Sequence, residues 1–211
     1  MALAPGLRPR SAEPAFALHK PMATTTTQSE NIHMYVNDMA ALEKHILEAF
    51  ARQRADERVQ ADPACAALIE ELHSAAEGRL RDIENHAASF AGPSGGAIKE
   101  AVAGIAGVVA GLYDKVRKHP LSRMLRDDST ALSLTATGYS MLYTTGLAVR
   151  DLAVANVALR HLRGITPQIM SLSHVIPAIV VKELAEDDPA VDHSAVGIAQ
   201  EKIKAAWGDQ K

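Results

Sequence analysis

The chain has 211 residues, 47% of them hydrophobic and 22% charged, which suffices for one substantial core and is too short for two independent ones. A net charge of −3 excludes the basic footprint that a phosphate backbone demands, so nucleic acid is not an expected partner. The single cysteine, Cys65, excludes an internal disulfide or a thiolate metal cluster and suits a reducing cytoplasm.

In chain order, residues 1–30 form the first unit. Pro5, Pro9, Pro14 and Pro21 interrupt any helix and a low-complexity Thr run follows, so the expectation is a disordered arm. Its short Ala/Leu/Phe pieces are cut by Pro and Arg, which disfavours a secretory signal. Met22, followed by Ala23 and the Thr run, is an alternative start.

Residues 31–186 read as the folded body. Tyr35, Met39, Leu42, Ile46, Ala49 and Phe50 recur at three- and four-residue steps and predict a first helix running to about Val59, with Lys44, Arg52 and Arg54 on its solvated side. Asp62-Pro63 supplies a cap and a first-turn proline for a second helix, whose stripe is Ile69, Leu72, Ala76, Leu80, Ile83, Ala87 and Phe90. A Gly/Pro/Ser run ends it. A third helix is expected over 97–118, where Ala101, Gly104, Gly107 and Gly111 would let another backbone approach closely.

His119-Pro120 breaks the chain before a fourth helix that starts around 122–128, with Asp127 and Asp128 near its positive end, and runs to about Val149. A fifth begins at Asp151, with Gly164 as a stop signal and restarts or kinks at Pro167 and Pro177. Residues 187–211 are a tail in which Val196, Ala199, Ile203 and Trp207 are spaced for a short amphipathic helix that packs back or enters a partner's groove. Few β-branched alternations occur, so the fold class is all-α. Long striped helices with short breaks favour an antiparallel four-helix bundle, with the small third helix in the long crossover of a ferritin-like connection and the short helix at the C-terminus.

Residues 129–149 carry no charge and are long enough to span a bilayer, but eight of them are Ser or Thr. A bundle helix whose hydroxyls bond to carbonyls one turn back, or to a neighbouring helix, accounts for them without a membrane. The nine histidines assemble no catalytic constellation: there is no nucleophile elbow, and Ser173-His174 point about 100° apart on a helix. Gly104, Gly107 and Gly111 lie in a helical pattern, which excludes a phosphate loop. Glu70-x-x-His73 is a literal metal-ligand motif, with Glu77 and Glu84 continuing along its side, about 60 to 120° from the centre of the apolar stripe. The alternative for these residues is a solvated acidic flank.

Several segments carry a resemblance: 35–46 with its Ala41-Leu42-Glu43-Lys44-His45, 72–90, Arg126-Asp127-Asp128, Gly138-Tyr139, and Ala158-Leu159-Arg160-His161-Leu162. Together, over residues 31–186, the chain resembles the YciE/YciF family of ferritin-like, stress-associated proteins. The resemblance implies a dimetal bundle with inward Glu on two helices and Glu-x-x-His on the other two. Glu43 matches the first of these. The second-helix motif reads Ala75-Ala76-Glu77-Gly78-Arg79, the fourth-helix positions read Leu132-Ser133-Leu134-Thr135, and the fifth-helix glutamates are replaced around His161-Leu162-Arg163. Residues 129–150 contain no carboxylate at all. The expectation is a degenerate metal site in a non-catalytic, stress-related scaffold, cytoplasmic and homo-oligomeric, a dimer or larger, through its helical faces. The alternative is an iron- or manganese-binding protein that stores iron or uses it for peroxide or oxygen chemistry, with candidate ligands Glu43, Glu70, His73, Glu77 and Glu84.

Overall fold

The computed structural model describes residues 26–90 and 120–208, and every element among them is helical. α1 spans Thr26–Arg54, the short α2 Glu57–Gln60, α3 Pro63–Phe90, α4 Leu121–Val149, α5 Leu152–Asp187 and α6 Ala195–Gly208. The expected third helix at 97–118 lies outside the described residues, as does the arm up to residue 25. α1 starts at Thr26, inside the stretch assigned to the arm. It also ends earlier than expected. The chain breaks at Asp56, whose carboxylate accepts the Arg58 backbone N–H at 2.9 Å and starts α2, so Val59 reaches the core from a separate turn.

Local signals set most of the remaining ends. Asp62 Oδ1 accepts the Cys65 N–H at 3.0 Å with Pro63 in the first turn of α3. α4 begins after Pro120, which has no capping side chain, and Glu183 near the end of α5 accepts the Ser122 N–H at 3.0 Å instead. At the α4–α5 turn Arg150 takes a left-handed φ of 64°, and Asp151 Oδ1 caps α5 by accepting the N–H groups of Ala153 and Val154, each at 3.1 Å. α5 is one continuous helix through Pro167 and Pro177, contrary to the expected break at Gly164. Arg163 and Pro167 are exposed, so the carbonyl that loses its N–H partner to the proline ring can face solvent.

The four long helices pack in a closed ring, α1 against α3 and α4, and α5 against α4 and α3. Every neighbouring pair is antiparallel: Gln53 meets Asp128 and Glu43 meets Tyr139 between α1 and α4, while Asp62 meets Lys182 and Asp82 meets Arg160 between α3 and α5. α3 and α4 therefore run parallel across the diagonal. The chain leaves α3 at one end of α4 and re-enters at the other, about 43 Å away for 29 helical residues. Core side chains from all four helices meet on the axis, with Phe50, Ile46, Ile69, Leu72, Ile83, Leu132, Tyr139, Leu142, Ile165 and Leu172 fully buried. The apolar stripes read from sequence on α1 and α3 supply much of this core.

α6 lies back along α5, tied by Gln200 donating to the His174 carbonyl at 2.8 Å. None of its residues is buried, and a cavity of about 520 Å³ lined by Leu68, Met170, His174 and Ile203 remains beneath it. Among the described residues, the one helix long and apolar enough to cross a membrane is α5, not the uncharged stretch of α4.

At Gly146 the backbones of α4 and α5 approach closely: a Cβ there would sit 2.9 Å from the Ala155 nitrogen and 3.0 Å from the Asp151 carbonyl oxygen, both backbone atoms that cannot swing away. Gly146→Ala should therefore destabilise the protein by about 1 to 3 kcal/mol in a denaturant titration, although alanine is the better helix former.

Candidate functional site

α1 presents Glu43 and α3 presents Arg79 to the centre of the ring, where each has almost no exposure. Arg79 Nε donates to Glu43 Oε1 at 2.6 Å, and Arg79 Nη1 donates to Gln168 Oε1 of α5 at 2.9 Å. The Tyr139 hydroxyl of α4 donates to the same Glu43 Oε1 at 2.9 Å. One guanidinium thus links three helices to the fourth through a shared carboxylate oxygen. His161 of α5 stacks obliquely on Tyr139, ring centroids 5.2 Å apart, with its Nε2 3.5 Å from Asp82 Oδ2. Arg160 holds the same Asp82 oxygen at 2.8 Å.

The pair is monodentate, since Glu43 Oε2 and Arg79 Nη2 are shielded from solvent and make no hydrogen bond. Burial pushes the Glu43 carboxyl up, and Arg79 and Tyr139 pull it back. Burial, reinforced by the carboxylate of Glu43, raises the Tyr139 phenol well above its ordinary range, so it remains a donor. Burial also lowers His161 to about 4, against the pull of Asp82 and with Arg160 and Arg79 adding to the fall. Cys65 is buried with its thiol pushed up to about 12, which leaves no reactive thiolate.

The five residues singled out as candidate ligands do not converge. Glu43 is central, yet its nearer oxygen already accepts two hydrogen bonds from Arg79 and Tyr139. Glu70 is exposed and ion-paired with Arg54 at 2.7 Å, and His73 Nδ1 lies 3.2 Å from the same arginine. Glu77 and Glu84 are exposed. Among the described residues no group of three His, Cys, Asp or Glu side chains could hold a metal ion. The donor set at the axis, one carboxylate facing a guanidinium with a phenol and an amide, does not fit a hard dication, which needs several anionic oxygens.

A second buried polar contact was only half legible. Asp127 and Asp128 were expected near the positive end of α4, but α4 starts at Leu121, which places Asp128 two turns inside it. Asp128 is fully buried and accepts from Gln53 Nε2 at 2.7 Å, so a side chain of α1 engages it rather than the helix end. Gln168 gave no signal in the sequence, since an isolated glutamine on an apolar helix reads as a boundary residue.

The uncharged stretch of α4 uses its hydroxyls as expected. Seven of them, on Thr130, Ser133, Thr135, Thr137, Ser140, Thr144 and Thr145, donate to the carbonyl one turn back at 2.8 to 3.1 Å. One face of this helix is core, while Thr130, Leu134, Thr137, Met141 and Thr144 are exposed.

Comparison with known proteins finds no family model, no curated protein and no solved structure that matches the chain.

His161 gives a testable pH dependence. The folded state resists a proton that the unfolded chain accepts at its ordinary value of 6.5, so acidification from pH 6.5 to about 4 favours unfolding. Asp82, Arg160, Arg79 and the Tyr139 ring are the groups that face this imidazole. Thermal melts across that interval should show a fall in Tm for the wild type that is shallower in His161→Gln, the difference between the two isolating this imidazole from the carboxylates that titrate in the same range.

Proposed function

We propose that the protein is a ferritin-like bundle of the YciE/YciF type whose metal centre has been replaced by a fixed internal cation, and that it works as a non-catalytic, stress-related scaffold in the cytoplasm, assembling with copies of itself. The observation that carries this reading is Arg79 Nε at 2.6 Å from Glu43 Oε1 on the axis of the ring. In a dimetal bundle that glutamate would face a dication. Here a guanidinium neutralises it, and its planar fork also reaches Gln168, as arginine does at buried ion pairs.

The ring order and the parallel diagonal of α3 and α4 support the ferritin-like assignment, because that connection requires a long crossover between two antiparallel hairpins. Scaffold action is supported by the chemistry of the centre: a phenol held protonated and a histidine held neutral are not poised near neutral pH for acid or base work, and the carboxylate beside them is paired with a guanidinium.

Metal analysis of protein purified without chelator tests the reading, followed by exposure to Fe(II) under air. The expected result is apo-protein that leaves the rate of Fe(II) oxidation unchanged. Stoichiometric iron or manganese that disappears in Glu43→Ala would instead establish the metal-binding alternative.

A further inference from the structure

Outside the ring of long helices, α6 stands off from the body it lies on. Its stripe of Val196, Ala199 and Ile203 is only partly buried, and beneath it α3, α5 and α6 surround the cavity of about 520 Å³. That volume falls within the range of small-molecule sites, roughly 300 to 1,000 Å³, and bundles place such sites between helices. The wall is apolar where Leu68 of α3, Met170 and Val175 of α5 and Ile203 of α6 meet. Two opposite charges stand on the same wall, Glu71 on α3 and Lys204 on α6. Neighbouring charges are matched elsewhere: Glu70 pairs with Arg54, Lys182 with Asp62 and Lys202 with Glu201. Among the described residues, Glu71 and Lys204 have no ion-pair partner. The contacts of Asp62 with Lys182, Asp82 with Arg160 and Gln200 with His174 set the heights of α3 and α6 along α5, and they bring Glu71 and Lys204 to the same level, beside residues 170–172.

We propose that this cavity binds a free apolar α-amino acid, with its ammonium group on Glu71, its carboxylate on Lys204 and its side chain against Leu68, Met170, Val175 and Ile203. Charge selects the class. A ligand with a single charge is attracted by one of these groups and repelled by the other, whereas a zwitterion meets each with the opposite sign. The apolar wall selects within the class, because a bulky hydrocarbon side chain gains by leaving water there and a small or hydroxylated one does not. Such a ligand bridges α3 and α6 and fills the space that keeps α6 from packing, so binding draws the helix onto the body. Trp207, the one tryptophan of the chain, lies one turn beyond Ile203 on α6 and is 53% exposed, which makes its fluorescence a reporter of that movement. The cavity is separate from Glu43 and Arg79, and the inference does not depend on whether the centre of the ring holds metal.

Titration of the full-length chain with L-leucine and L-phenylalanine to millimolar concentration, followed by calorimetry and by Trp207 fluorescence, tests it. The expected result is saturable binding of one molecule per chain with a change in Trp207 emission, and no saturation with glycine or L-serine. Glu71→Gln and Lys204→Met should each weaken binding by about tenfold or more, and so should replacing L-phenylalanine by phenethylamine or 3-phenylpropionate, which lack one charge each. Ala67→Phe, which fills the cavity from the exposed side of α3, should abolish binding with unchanged far-UV circular dichroism, while Glu84→Gln leaves it intact. Absence of saturable binding by both amino acids would overturn the proposal. So would binding that persists in Ala67→Phe, or that is as tight for the two singly charged analogues as for L-phenylalanine.

Discussion

The ion pair between Glu43 and Arg79 is the constraint around which the other parts are arranged. A charge with almost no exposure is tolerated only when a partner and further hydrogen bonds replace water, and here the partner is a guanidinium from the neighbouring helix. Tyr139 adds a second hydrogen bond to Glu43 Oε1, and Gln168 supplies the acceptor that Arg79 Nη1 would otherwise lack. This network ties α1, α3, α4 and α5 at one level, which fixes their register in a way that interchangeable apolar contacts do not. Gln53 and Asp128 repeat the device nearer the start of α4.

The same economy of charge shapes α4. Over residues 129–149 its core face carries Thr135 and Tyr139 and no charge, and the threonine hydroxyl closes on the helix's own backbone while the tyrosine hydroxyl reaches Glu43. What remains is a rod with two usable faces. The inner face builds the core, and the outer one is left without charge over the length where a solvated helix would ordinarily carry it.

Periodicity made the helices legible, and residues such as Leu42, Ile46, Ile69 and Leu72 fall where their spacing places them because a 3.6-residue repeat maps directly onto one buried face. Asp62-Pro63 marked the start of α3 for an equally local reason. The interruptions were less legible. Pro167 and Gly164 are weak stops when tertiary packing carries a helix past them, and the early end of α1 depends on a cap at Asp56 that opens a four-residue turn. At the centre, the lack of carboxylates over residues 129–150 and the oddity of Arg79 were visible in the sequence, but the pairing was not. Whether an arginine flanking a stripe snorkels outward or turns inward depends on an acceptor 36 residues away, and no one-dimensional pattern encodes that distance. Gln168 and Asp128 were hidden for the same reason, each having its meaning only in a partner from another helix.

A double-mutant cycle on Glu43 and Arg79 tests the central claim most directly, using Glu43→Leu, Arg79→Met and the two combined, each followed by denaturant unfolding. Either single change strands a buried charge and should cost about 3 to 5 kcal/mol, whereas the double variant should recover most of that loss, because neither charge is left behind. Single variants within about 0.5 kcal/mol of wild type, or losses that simply add in the double variant, would contradict the account of a guanidinium and a carboxylate locked together at the axis.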